Sequence, residues 1–389
     1  MPILGIIASR DGGTPTVPTI GTATAGNGSA TVAYTASTYT GKGTATYTAT
    51  SSPGGLTGTG ASPITVSGLT NGTAYTFTVK ATSTTGEIAT SAASNSITPV
   101  APVVTIFAAG DTTTNNLSST DGINFTARTT PWAGAKGVAY SGSRWAAVRG
   151  PNTTSTTAMY SDDAITWTSV TTPDNGGFNA LAYGAGTFVT YNASTTNVMT
   201  STDGTSWSFT SGVSSSDVTG ITFGSSTFVT IASASGQKVM TSSNGTTWTS
   251  RDGLVNYYGD HIAFGNGNFV TVRTGSRQVN YSSAPTSSWS FTNGPNSGGL
   301  TWQDIMYGNS IFVAIQSGTS SYGTTPTGAT WTTRTLPSSS GWVKGAYSTS
   351  NSLFTIFGGG TVAATSSDGI TWTSRTVPSI SPSKVASSG

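Results

Sequence analysis

The residues able to do chemistry are few and recur in a pattern. Asp121, Asp163, Asp203 and Asp368, with Asn244 in the corresponding place of another copy, each stand four residues before an aromatic. Examples are Ser-Thr-Asp121-Gly-Ile-Asn-Phe125 and Ser-Thr-Asp203-Gly-Thr-Ser-Trp207. Acids gathered in one pocket could work as a general acid and base or ligate a cation. A position that accepts Asn at 244, and has no acid in the degenerate copies ending at Trp289 and Trp331, suits neither role. It suits a turn, where the side-chain oxygen takes up following backbone N–H groups. His261 is the only histidine and follows Asp260. A lone imidazole makes neither a zinc site nor a triad, so it is expected to pack at the rim of a strand. With no Cys and no phosphate-binding glycine loop, no metal or cofactor is expected.

A second set is suited to recognition. Trp132, Tyr257, Tyr258, Trp302 and Trp342 fall between the repeated segments, with Arg149, Arg273 and Arg277 near them. Aromatic faces beside guanidinium, hydroxyl and amide groups match the apolar faces and hydroxyls of a carbohydrate. The same aromatics could instead plug gaps between packed sheets.

These residues must be positioned by strands. Ser and Thr dominate, Glu occurs once, at Glu87, and the chain is rich in Thr, Tyr and Val, a composition that disfavours helix. The repeat aromatics Phe125, Trp167, Trp207, Trp248, Trp289, Trp331 and Trp372 lie 42, 40, 41, 41, 42 and 41 residues apart. Within each period comes an apolar run, a tight turn and a second run, as in Ala182-Tyr-Gly-Ala-Gly-Thr-Phe-Val-Thr and Ala263-Phe-Gly-Asn-Gly-Asn-Phe-Val-Thr. A third strand then leads into the Asp turn and a fourth leaves it. Four short antiparallel strands per period predict propeller blades, seven in all. The first copy, near residue 103, lacks an innermost strand. Lys384-Val-Ala-Ser-Ser-Gly389 has the register to supply it and close the ring.

The Ser-x-Asp-x-Gly-x-x-Trp pattern resembles the Asp-box (BNR) repeat of sialidase-like and sortilin-like propellers, over residues 103–389. Sialidase-like catalysis would need an Arg cluster, a Tyr and Glu pair and an Asp acid. The propeller region contains no Glu, and Arg128, Arg251, Arg334 and Arg375 each follow the repeat aromatic by three residues as a feature of the fourth strand. Enzymatic activity is therefore not expected.

Residues 13–99 read as short alternating strands with turn signals, a sandwich pattern. Leu69 to Tyr75 resembles the tyrosine corner of fibronectin type III domains, with Tyr34 where that family usually has Trp. Pro99 to Pro102 reads as a stiff linker. The expected architecture is all-β: an arm at 1–12, a fibronectin type III-like sandwich at 13–99, and a seven-bladed propeller at 100–389 closed by the C-terminal strand.

The opening Met1-Pro2-Ile3-Leu4-Gly5-Ile6-Ile7-Ala8-Ser9 is similar to the N-terminus of tail-fibre and other virion proteins of marine tailed phages, cyanophages especially. That resemblance implies a virion appendage assembled in the host cytoplasm, without a signal peptide. Pro2, Ile3, Leu4, Ile6 and Ile7 would dock on other virion proteins, and the propeller would face a host-surface glycan or protein. A purely architectural decoration protein is the alternative. A charge of +2 on 389 residues gives no broad basic field for nucleic acid, and no segment is apolar enough for membrane insertion. The sequence does not indicate an oligomeric state.

Overall fold

The computed structural model describes residues 14–38, 44–100, 104–112, 114–150, 157–173, 177–192, 197–210, 218–232, 239–251, 259–295 and 302–388. Strands and turns account for all its regular structure, and no helix in the described residues is long and apolar enough to cross a membrane. The chain divides into two compact units, Met1–Pro102 and Val103–Gly389.

The first unit is made of two antiparallel sheets. Thr19–Gly26, Ser29–Thr35 and Ile64–Ser67 form one, while Thr57–Thr59, Thr46–Ser52, Thr76–Thr82 and Ile88–Thr90 form the other. In Thr76–Thr82 every second residue is buried, as expected of a strand with one face on a core. Phe77 and Val79 from this strand meet Val32, Ile64 and Val66 from the other sheet. The Tyr75 hydroxyl accepts the Thr70 N–H at 3.1 Å, tying the turn to the core.

Among the described residues the second unit forms seven four-stranded antiparallel sheets, each running in order from inner to outer strand. The inner strands are Ala135–Tyr140, Phe178–Gly184, Val218–Gly224, His261–Gly265, Trp302–Gly308, Lys344–Ser348 and Pro382–Ser387, and each lies against the next in a closed cycle. This is a β-propeller arrangement. Its first sheet takes its inner strand from the opposite end of the chain. Pro382–Ser387 pairs with Ile106–Gly110, setting Val385 opposite Ala108 and Ser387 opposite Ile106. Ile106–Gly110 is buried throughout, so without that partner it would present an apolar unpaired edge.

Neighbouring sheets meet through a recurring contact. Six of the seven inner strands, all but Pro382–Ser387, carry an aromatic near the end that packs on one from the second strand, as in Tyr183 on Phe188, Phe223 on Phe228 and Tyr307 on Phe312, with centroids 4.6 to 4.8 Å apart. In four of these the other face of the ring lies on a glycine of the preceding sheet. A Cβ at Gly184, Gly224 or Gly265 would come 2.1 Å from the ring of Phe223, Phe264 or Tyr307, and one at Gly308 would come 2.0 Å from Tyr347. The sequence pattern suggested that these glycines belong to hairpin turns. They are strand residues, and the turns are the positive-φ pairs that follow, such as Ala185-Gly186 and Asn266-Gly267.

Gly224→Ala and Gly308→Ala should each lower the unfolding free energy by about 3 kcal/mol or more, because the ring has no free side to move into. Ser348→Ala at the equivalent place in the seventh sheet should cost about 1 kcal/mol or less. Urea denaturation of the three variants checks this ordering.

Candidate functional site

The recurrent acids sit in the turn between third and fourth strands. The Asp203 carboxylate accepts N–H groups from Thr205 and Ser206, both at 2.8 Å, and the Ser201 hydroxyl at 3.0 Å. Asp121, Asp163 and Asp368 repeat the arrangement, and the Asn244 amide oxygen does the same work with Thr246 and Thr247 at 2.9 Å. In the sixth copy Thr327 stands in the acid's place and its hydroxyl accepts the Ala329 N–H at 3.5 Å, while Thr325 keeps the role the serine has elsewhere, accepting the Gly328 N–H at 2.9 Å. Partial burial by itself would raise the Asp121 carboxyl. The donors of Asn124, Ile123 and Ser119 outweigh it and hold the group at about 2. At Asp203 the Ser206 N–H is the leading cause, and the carboxyl is again held low. The second copy has Ala164 where the first, third, fourth, sixth and seventh have Gly, at φ 54° and fully buried. That left-handed backbone costs an alanine about 1 to 2 kcal/mol.

The repeat aromatics pack beside these turns. Trp167, Trp207 and Trp289 are buried, whereas Phe125, Trp248, Trp331 and Trp372 are half-buried. The indole N–H groups of Trp207, Trp248 and Trp331 donate to the turn carbonyls of Gly204, Gly245 and Gly328.

The structure overturns part of the recognition set. Trp132, Trp302 and Trp342 are 7%, 0% and 1% exposed and belong to three separate hydrophobic clusters, so they fill gaps between sheets and cannot face a ligand. Sequence marks them as large and aromatic but does not say which side of a strand end they take. Arg149 is half-buried with its guanidinium over the Trp132 ring at 5.0 Å, so these two are brought together as an inward pair. Arg273 is half-buried and Arg277 exposed, flanking the connection after Asn268–Val272. Tyr257 and Tyr258, like Pro2, Ile3, Leu4, Ile6 and Ile7, lie outside the described residues.

A cluster of titratable groups gathers at the centre instead. His261, Asp304 and Lys344 each stand three residues before the inner-strand aromatic, on the fifth, sixth and seventh sheets. That shared register is the signal that could have linked them from sequence. His261 Nδ1 lies 3.6 Å from Asp304 Oδ1. Asp304 also accepts the Ile305 and Gly345 N–H groups, both at 3.1 Å, and Lys344 Nζ donates to the Gln303 carbonyl at 2.8 Å. A cavity of about 30 Å³ opens among Thr219, Asp260, His261, Asp304 and Lys384. That is room for about one water, not for a substrate.

Burial pushes His261 down to about 4, helped by the positive charges of Lys344 and Lys384 and opposed by Asp304 and Asp260. Burial likewise lowers Lys344. Among the described residues no group of three His, Cys, Asp or Glu is placed to hold a metal ion.

No family model and no curated protein matches the chain. Among solved structures it is similar to YCF48 bound to a D1 peptide, with a TM-score of 0.48 and 18% identity over 61% of this chain and 80% of that one. It is also similar to the RRP9 WD40 repeats, with a TM-score of 0.46 and 10% identity over 66% and 88%. The propeller assignment rests on the sheet pattern above.

Two outcomes follow. Unfolded His261 titrates near 6.5 and folded His261 near 4, so between these values the unfolded chain holds the extra proton and stability falls as pH falls. The loss should be on the order of 2 to 3 kcal/mol from pH 7 to 4, and His261→Gln should flatten that limb in urea titrations. Trp302→Ala should destabilise the unit by about 3 to 5 kcal/mol, as removal of a buried core ring does, which a thermal scan would read directly.

Proposed function

We propose that the protein is a virion structural protein of a tailed phage, in which a seven-bladed Asp-box propeller is carried on a fibronectin type III-like spacer and presented to a host-surface glycan. The observation that carries the non-enzymatic part is how the acids are used. Each described repeat carboxylate has one oxygen engaged by two backbone N–H groups of its own turn. The buried central acid, Asp304, is bonded to two backbone N–H groups beside a cavity too small for a sugar. A glycosidase would need two carboxyl groups free to meet a substrate.

The virion part rests on the similarity of residues 1–9 to phage appendage proteins and on the apolar character of Ile3, Leu4, Ile6 and Ile7, a set too small to form a core of its own. With Trp132, Trp302 and Trp342 committed to packing, the surface once assigned to the ligand is reduced to Arg273, Arg277, Tyr257 and Tyr258. This favours, as a second reading, an architectural decoration protein that binds no glycan.

A chain beginning at Asp11 should fold with an unchanged melting temperature yet be missing from purified particles by mass spectrometry. Normal incorporation of that chain would remove the anchor from the proposal. Release of reducing sugar from host polysaccharide by the purified protein would remove its non-enzymatic character.

A further inference from the structure

Four arginines recur at one position of the outer strand. Arg128, Arg251, Arg334 and Arg375 are the third residues of Thr126–Thr129, Thr249–Arg251, Thr332–Thr335 and Thr373–Ile380. Each donates Nε to a buried hydroxyl on the neighbouring strand. The partners are Ser118 at 2.8 Å, Thr241 at 2.8 Å, Thr324 at 3.2 Å and Thr365 at 2.9 Å. None of the four pairs with a carboxylate among the described residues. Their side chains are half-buried, so the stems are covered while the Nη groups have no partner in the described protein.

Folding does not require these residues. The same position, three residues after the repeat aromatic, holds Val170, Thr210 and Thr292 in the second, third and fifth sheets, which form the same four strands. Three of the arginines fall on consecutive sheets of the closed cycle: the sixth, the seventh and the first. There the sequences are Thr332-Thr-Arg-Thr, Thr373-Ser-Arg-Thr and Thr126-Ala-Arg-Thr, and within these four residues the three strands share one exposure pattern, each residue exposed except the half-buried Arg.

We infer that the outer strands of the sixth, seventh and first sheets form one docking belt for an acidic polysaccharide, with Arg334, Arg375 and Arg128 as the anion contacts. A guanidinium fixed through Nε keeps a planar pair of N–H groups for a carboxylate or sulfate oxygen. The flanking threonines supply hydroxyls for the hydroxyls of the sugar ring. The repeated spacing suits a polymer with repeated charge. Nucleic acid fits less well. The turn ends of the first and seventh sheets carry Asp121 and Asp368, and those of the neighbouring second and third sheets carry Asp162, Asp163 and Asp203, with Arg144 the one cation among the described residues at these turns.

The inference rests on the attachment reading for its biological setting and is tested apart from it. Full-length protein is measured by biolayer interferometry on immobilised dextran sulfate and polygalacturonate, with unmodified dextran as the neutral control. Binding should appear on at least one of the two acidic polymers and weaken with salt. Combined Arg128→Gln, Arg334→Gln and Arg375→Gln should lower affinity about tenfold or more, from roughly two- to threefold per charge contact. Arg251→Gln, isolated on the fourth sheet, should stay within about twofold. If the triple variant does not fold, Arg375→Gln at the centre of the belt carries the test and must lose about two- to threefold.

Unchanged binding by the triple variant, or no binding of wild-type protein to either acidic polymer, would overturn the belt. So would equal competition by duplex DNA with the same arginine dependence, which would make the partner a nucleic acid. Adhesion to host cells that persists in the triple variant sinks the belt and leaves the attachment reading. Polyanion binding without adhesion does the reverse.

Discussion

The propeller unit depends on an aromatic ring laid flat on the glycine of the sheet before it. In the third to seventh sheets, Gly184, Gly224, Gly265 and Gly308 admit the rings of Phe223, Phe264, Tyr307 and Tyr347 at a distance no other residue would allow. Each ring is held on its other face by an aromatic of its own second strand, Phe354 in the case of Tyr347. The contact fixes the angle between neighbouring sheets, and a repeated angle closes the cycle. Elsewhere Ser141, Ser348 and Ser387 take the glycine's place, and other devices help hold those seams. Arg144 donates to the Asp203 carbonyl at 3.0 Å and Asn351 to the Thr105 hydroxyl at 2.6 Å. Once the angle is set, the incomplete first sheet must find an inner strand, and the register of Pro382–Ser387 supplies it.

The same geometry sorts the charges. Turns that need N–H acceptors collect carboxylates at one end, where backbone donors keep them ionised. Outer strands that offer a buried hydroxyl collect arginines. A composition that totals +2 therefore conceals an acidic turn end and a cationic perimeter. Net charge excludes a uniform field, but it is silent on local ones.

Much of this was legible because it is periodic. The 41-residue spacing marked the strands of each sheet, the exchange of Asp for Asn at 244 marked the turn as structural, and the register of Lys384 to Gly389 marked the closing strand. What was not legible depends on which side a residue faces, or on partners far apart in sequence. Trp302 and Trp342 look alike whether they stack on a sugar or fill a seam. Gly224 looks like a turn residue until Phe264, forty residues on, is seen lying against it. His261 looked solitary because Asp304 and Lys344 are one and two repeats away.

The distribution of uses also says where recognition can reside. Inner strands enclose a cavity of about 30 Å³, and His261, Asp304 and Lys344 on them are engaged with each other or with the backbone. Repeat acids are consumed by their turns, and the large seam aromatics by packing. A position that varies freely among sheets yet carries the same charged residue on three neighbours answers to a constraint other than folding. In this propeller that position is the outer-strand residue three after the repeat aromatic, where Val170 and Thr292 show what the fold alone requires and Arg128, Arg334 and Arg375 show what has been added.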